Sequence, residues 1–156
     1  MNVADDGERL YALIDKIYNM HSEEYYTSGR QTTSVALGSA VKAGTQLLEG
    51  IGGRVMVFAN SLGAQGCGKV QTRVNAKLFN TDEEVPKMLR PESEFYRELA
   101  LECVSKCICV DLFLALTLKH ISLDVATLQP ITGITGGDLY LHADFDVNAH
   151  GEKLYY

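Results

Sequence analysis

No stretch of this sequence is apolar enough, for long enough, to cross a bilayer. The longest apolar run, Ile108–Leu118, is broken by Asp111 and falls well short of the roughly 20 residues a spanning helix needs. A secretory leader is also missing: Met1–Arg9 is acidic and polar, where a leader needs a basic end and then an apolar run. The expected location is therefore the cytosol, with a membrane surface still open as a place of work. Basic charge is short too. Fourteen Lys and Arg stand against twenty Asp and Glu, giving a formal charge of -6. That balance disfavours a nucleic-acid binder, whose affinity comes from counterions displaced by Lys and Arg. Internal repeats and low-complexity tracts are absent. What is present is the composition of a soluble globular domain: 156 residues, 46% apolar and 22% charged, enough for one core.

The chemical motifs are incomplete in instructive ways. Nothing reads G-x-S-x-G, so a serine nucleophile elbow is missing. The four cysteines, Cys67, Cys103, Cys107 and Cys109, lack the doubled C-x2-C pairs of a structural zinc site, and are expected to be free, buried thiols. Gly63-Ala-Gln-Gly-Cys-Gly68-Lys69 fits the glycine and lysine positions of a phosphate-binding loop, but Val70 stands where the magnesium hydroxyl belongs. Gln71–Asn80 is also a poor start for the helix that supplies half of such an anion site. A nucleotide hydrolase would use Lys69 with Asp111, in Ile108-Cys-Val-Asp111, as the magnesium-side carboxylate. The alternative for Gly63–Lys69 is a glycine-rich turn. For Asp111, inside an apolar strand, it is a structural hydrogen bond, because a buried carboxylate must be paired. His142, Asp144 and Asp146 would share a strand face suited to a hard metal, or form a solvated strand exit. His21, His120 and His150 have no ligand-like spacing. The D-x-S-x-S loop of a metal-dependent adhesion module does not occur.

Periodicity orders the chain. Leu10, Ile14, Ile17 and Tyr18 mark a helix face that fades by His21, before a polar link over Ser22–Thr32. Thr33 or Ser34 is expected to cap a second helix bearing Leu37, Val41, Gly44 and Leu48, ended near Gly50. Arg54–Ala59 reads as a buried strand, and Asn60–Arg90 as an irregular excursion. Pro91, Glu92 and Glu94 suit the first turn of a helix carrying Phe95, Leu99 and Cys103. Cys107–Leu116 reads as a strand covered on both faces. A short helix from Ser122 to Leu128, closed by Pro130, precedes a last strand, Asp138–His142; another helix is expected from Ala149. This alternation predicts an α/β domain with a mainly parallel sheet flanked by helices. Three strands are few for that class, so the sequence reads as part of a larger domain. Arg54–Ala59 would then be an open apolar edge that invites pairing with another copy.

Several segments, in order, carry a family resemblance: Ala36-Leu-Gly-Ser-Ala40, Gly52-Gly-Arg-Val-Met-Val-Phe58, Ser61-Leu62 with Gly66 and Gly68, Phe95-Tyr-Arg-Glu-Leu-Ala100 with Cys103, Val110-Asp-Leu-Phe113, Thr135-Gly-Gly137 and His150-Gly-Glu-Lys-Leu154. Together they resemble the trunk domain of the cargo-selecting subunit of the COPII inner coat. The GTPase-activating coat subunit, with its related trunk, is the nearest rival. Tyr140-Leu-His-Ala143 departs from the family's aromatic cluster and proline. The resemblance implies a von Willebrand factor A-like fold, with residues 1–156 as a single partial trunk domain interrupted at about 60–90. It implies cargo selection at the endoplasmic reticulum for transport to the Golgi, without catalysis. Implied partners are the GTPase-activating subunit, cargo and SNARE proteins through their sorting signals, and the membrane surface indirectly. No catalytic, cofactor-binding or metal-binding residue is assigned to this chain; the family's zinc ribbon lies elsewhere in the full-length protein. Cargo-binding residues are not carried over.

Overall fold

The computed structural model describes residues 6–28, 35–61, 63–116, 124–143, 145–146 and 148, in two compact units divided after Thr32. The first unit is a helix, α1 (Gly7–Ser28). It starts where Leu10 N donates to Asp6 O (3.1 Å), and it runs past the link expected from Ser22. The physical reason lies in the sequence: Met20, Glu23 and Glu24 are good helix formers, and no glycine or proline follows until Gly29.

The second unit holds α2 (Leu37–Leu47), β1 (Gly53–Ala59), α3 (Phe95–Ser105), β2 (Ile108–Ala115), α4 (Val125–Thr135) and β3 (Leu139–His142). The strands form one parallel sheet in the order β1-β2-β3. The α/β, mainly parallel architecture expected from the sequence is therefore the one observed. Val55 pairs with Val110, Val57 with Leu112, and Leu112 with Leu139, placing these side chains on one face. There they form the core with Val41 of α2, Leu99, Ala100 and Cys103 of α3, and Leu128 and Ile131 of α4. Lys106 Nζ ties the ends of two helices together, 3.1 Å from Glu49 and 2.7 Å from Glu102.

The opposite face is a different surface. Phe58, Phe113 and Tyr140 stand in register across the strands, with stacked rings at centroid separations of 4.7 and 4.8 Å. Met56 and Phe58 are exposed, and Cys109 and Phe113 are half-buried. Two expectations are corrected here. β2 is sealed on its helix face (Ile108, Val110, Leu112 and Leu114) and only partly on the other. β1 is half-exposed rather than buried, because Arg54, Met56 and Phe58 project from the face the helices do not cover; among the described residues its one strand neighbour is β2.

The helix ends also differ from expectation. Thr33, Ser34 and Ser122 lie outside the described residues. α2 follows Ala36 with no side-chain cap, while Gly50 does adopt the left-handed conformation expected near its end (φ 79°). α3 begins at Phe95, whose amide donates to Ser93 Oγ (3.2 Å); Pro91 stays outside the helix. α4 is capped by Asp124, which accepts from Thr127 N (3.3 Å). Pro130 lies inside α4, and buried Leu128 and Ile131 continue the apolar face across it. The helix stops instead at Gly136, which takes up the left-handed conformation (φ 76°). The helix expected from Ala149 lies outside the described residues.

Candidate functional site

The phosphate-loop-like segment is a packed turn whose amides serve the fold. Gln65 N donates to Val35 O (3.3 Å), Cys67 N to Ser39 Oγ (3.0 Å) and Val70 N to Gly63 O (2.8 Å). Gly38 of α2 lies directly under the Cys67 carbonyl, so a side chain there would collide with backbone. Gly68, at φ 62°, lies so close to the Phe95 ring that a Cβ would overlap it. Val70 is fully buried and Lys69 is exposed. No α-helix follows the loop; the next regular piece is a 3₁₀ turn at Ala76–Leu78. The Gln65, Cys67 and Val70 amides are thus spent within the fold, and the loop lacks the helix N-terminus that supplies half of a phosphate cradle.

Asp111 is buried and used twice. Its Oδ2 accepts from Arg54 Nη1 of β1 (2.9 Å), and its Oδ1 accepts from Asp138 N before β3 (3.0 Å). Its level on the sheet is that of Met56, whereas the chain leaves β1 at Ala59, opposite Leu114. Three strand residues, about 10 Å, separate those levels. Asp111 therefore joins three strands rather than serving the Gly63–Lys69 loop.

Of the H-x-D-x-D group, His142 is half-buried with its ring against Phe145 (6.0 Å), Asp146 accepts from Asn148 N (3.0 Å), and Asp144 lies outside the described residues. Among the described residues no three His, Cys, Asp or Glu side chains gather as a metal would require. His120 and His150 lie outside the described residues, as does the side chain of His21. The thiols divide: Cys103 is buried, and burial pushes its thiol up, while Cys67 and Cys107 are exposed and Cys109 is half-buried. The expectation of four buried thiols holds for Cys103 alone. Cys107 falls in the turn before β2 at φ 57°, and Cys109 projects from the face the helices do not cover.

A polar cluster not foreseen from the sequence anchors the 60–90 excursion, whose regular structure among the described residues is the 3₁₀ turn and a π-helical turn at Val85–Leu89. Arg73 Nε donates to Asp124 Oδ2 (2.9 Å), Nη2 to Asp124 Oδ1 (2.5 Å), and Nη1 to Lys87 O (3.0 Å). Thr127 Oγ1 donates to Asp124 Oδ2 (2.6 Å) and accepts from Glu92 N (2.8 Å). One guanidinium thus ties two points of the excursion, Arg73 and Lys87, to the start of α4, and Thr127 adds the Glu92 amide just beyond it. Beside this knot lies a cleft of about 200 Å³, walled by Val74, Met88, Leu89, Val125 and Ala126. The signal in the sequence was Asp124-Val-Ala-Thr127, a capping pattern. Nothing in sequence spacing identified Arg73 as its partner.

Comparison with known proteins agrees with this geometry. A model of the Sec23/Sec24 trunk domain matches residues 1–156. Human protein transport protein Sec24C is 33% identical over 157 residues, covering 99% of this chain and 13% of that protein. Protein transport protein SEC24 of Saccharomyces cerevisiae is 34% identical over 113 residues, covering 72% of this chain and 12% of that protein. The crystal structure of the human COPII-coat protein Sec24c superposes with a TM-score of 0.78 at 32% identity, covering 99% of this chain and 20% of that one. The chain thus spans about an eighth of the length of these curated relatives. With both its sequence and its parallel sheet accounted for by one domain type, the chain belongs to the Sec23/Sec24 trunk-domain family.

Proposed function

We propose that this chain is part of the trunk of a COPII cargo adaptor, and that its work is non-covalent assembly rather than catalysis. In the longer protein the sheet and its helices would hold surfaces that pair with the GTPase-activating inner-coat subunit. They would also support the modules that bind sorting signals of cargo and SNARE proteins at the endoplasmic reticulum membrane. The chain works at the cytoplasmic face, peripheral to that membrane; among the described residues no helix is long and apolar enough to cross one. No cofactor is assigned to it, and the family's zinc ribbon is placed elsewhere in the full-length protein.

The observation that carries this reading is the agreement of sequence and fold with Sec24 relatives over nearly the whole chain. The internal use of Asp111 and of the Gln65 and Cys67 amides adds support, since the carboxylate and part of the loop that the rival nucleotide-hydrolase reading needs are engaged in holding the fold. The test is capture of the GTPase-activating coat subunit by the immobilised chain and by the full trunk, alongside titration with nucleotide and magnesium. Retention of the coat subunit without saturable nucleotide binding is expected. Micromolar nucleotide binding abolished by Lys69→Ala would overturn the reading.

A further inference from the structure

We propose that residues 71–90 are a strap that opens as one unit while the sheet and its helices stay folded, and that Arg73 is the latch that holds it shut on Asp124. This goes beyond the adaptor reading and does not rest on it.

The strap is ordered without a core of its own. Val70 before it is fully buried, as is Tyr96 after it, but from Gln71 to Phe95 no residue is buried. None of residues 71–94 packs into the hydrophobic core, and Val74, Phe79, Val85 and Leu89 stay exposed. Fixing a backbone costs conformational entropy that burial normally offsets, and here burial offers little. Segments with few buried apolar contacts are the ones that open locally.

What holds the strap is polar and concentrated at one point. Its internal hydrogen bonds are short-range: Leu78 N donates to Asn75 O (2.9 Å), Glu84 N to Thr81 O (3.1 Å) and Lys87 N to Glu83 O (3.1 Å). Single helical turns of this kind do not persist alone in water. Among the described residues, the hydrogen bonds that leave 71–90 for the rest of the fold all run from Arg73. They reach Asp124 Oδ2 (2.9 Å), Asp124 Oδ1 (2.5 Å) and Thr127 Oγ1 (3.4 Å). The same guanidinium donates to Lys87 O, near the far end of the strap (3.0 Å). Losing the fork on Asp124 therefore frees both ends of the strap together, which makes opening a single event. The body keeps its own bonds when that happens. Thr127 still donates to Asp124 (2.6 Å) and accepts from Glu92 N (2.8 Å), so the cap of α4 and the exit of the strap remain. Val74, Met88 and Leu89 of the strap face Val125 and Ala126, so opening uncovers the first turn of α4 and leaves the sheet intact.

The test is native-state hydrogen exchange of the intact chain, followed residue by residue in rising, subdenaturing urea. The amides of Leu78, Thr81, Glu84 and Lys87 are expected to share one opening constant, well above that of Ala100 and Cys103 in α3. Arg73→Lys keeps the charge but not the two-point fork, and should raise the shared constant about tenfold. Asp111→Ala acts on the sheet, and should raise the α3 constant while leaving that of the strap unchanged. Protection of the α3 amides in each variant shows that it is folded. Four amides with unrelated constants, or with no protection at all, overturn the proposal. So does exchange of the strap only together with α3, and so does a shared constant that Arg73→Lys leaves in place or Asp111→Ala moves.

Discussion

Arg54 reaches across the β1–β2 pair to place Nη1 2.9 Å from Asp111 Oδ2, while the other oxygen of that carboxylate accepts from Asp138 N at 3.0 Å. One buried side chain thus holds an edge strand, the central strand and the entry to the third. Gly137 makes the approach possible, because a Cβ there would run into the Val110 carbonyl.

Asp111→Ala should therefore cost more than a surface pair would. The Arg54 side chain is 57% exposed and can return to water, but the Asp138 amide loses its acceptor. A destabilisation of about 1–3 kcal/mol is expected, read as a lower urea midpoint. Asp111→Asn keeps an acceptor for Asp138 N and should recover part of the loss. Equal midpoints for the wild type and the alanine variant would show that the triple link adds nothing.

The Arg73–Asp124 knot should respond in a graded way. Asp124→Ala removes both the cap of α4 and the partner of a largely buried guanidinium, and should cost about 3 kcal/mol. Asp124→Asn, also a good cap, should cost clearly less. Limited proteolysis gives an independent readout: cleavage within 71–90 should accelerate in the alanine variant and hardly change in the asparagine one.

Tyr96 is fully buried, and among the described residues its hydroxyl finds no hydrogen-bond partner. Burial pushes its pKa up from 10.0 to about 12. The unfolded chain thus releases this proton before the folded one does, so the Tyr96 contribution to stability is constant below pH 10 and is lost between 10 and 12, by about 2–3 kcal/mol in full. Tyr96→Phe should remove that share of the alkaline loss. It should also leave stability at pH 7 unchanged or slightly higher, since an unsatisfied buried hydroxyl is lost. Urea titrations at pH 7, 10 and 11.5 check both expectations.

Glu102 behaves oppositely with pH. A hydrogen bond from Lys106, reinforced by that ammonium's charge, holds its carboxyl below the usual range. Its contribution is present above the ordinary glutamate pKa and disappears as pH falls through the depressed one. Glu102→Gln should thus be less stable than wild type at pH 7 and indistinguishable from it at pH 2. A gap that persists in acid would contradict this.

The β1 edge is the remaining liability. Self-association of the chain through residues 54–59, a pairing proposed from the open edge, should appear as concentration-dependent sedimentation. Met56→Lys, at an exposed edge position, should suppress it. A wild-type chain monomeric at every concentration would rule the pairing out.

Much of this architecture was legible because apolar runs and periodicity are local. Ile108–Leu114 announced a strand, and Phe95, Leu99 and Cys103 a helix face. What escaped depends on distant neighbours. Nothing within Arg54–Ala59 states that one face of the strand is uncovered, with Met56 and Phe58 outward. Pro130 misled because a local breaker was outweighed by burial on both sides of it. The Gly63–Lys69 decoy was weakened by Val70 and by the poor helix start at Gln71–Asn80, but the bonding of the Gln65, Cys67 and Val70 amides to Val35, Ser39 and Gly63 lies in tertiary packing. Arg73 escaped for the same reason: its partner is 51 residues away.

The stacked rings of Phe58, Phe113 and Tyr140 have one more consequence. A slip of any strand by one residue would turn its ring to the opposite face, breaking two stacks if β2 moved and one if β1 or β3 did. The ladder is therefore a register lock, running from strand to strand in the same direction as the hydrogen bonds of the sheet. Because the chain has no tryptophan, the difference in tyrosine emission between the wild type and Tyr140→Phe is an optical gauge of whether that lock is closed.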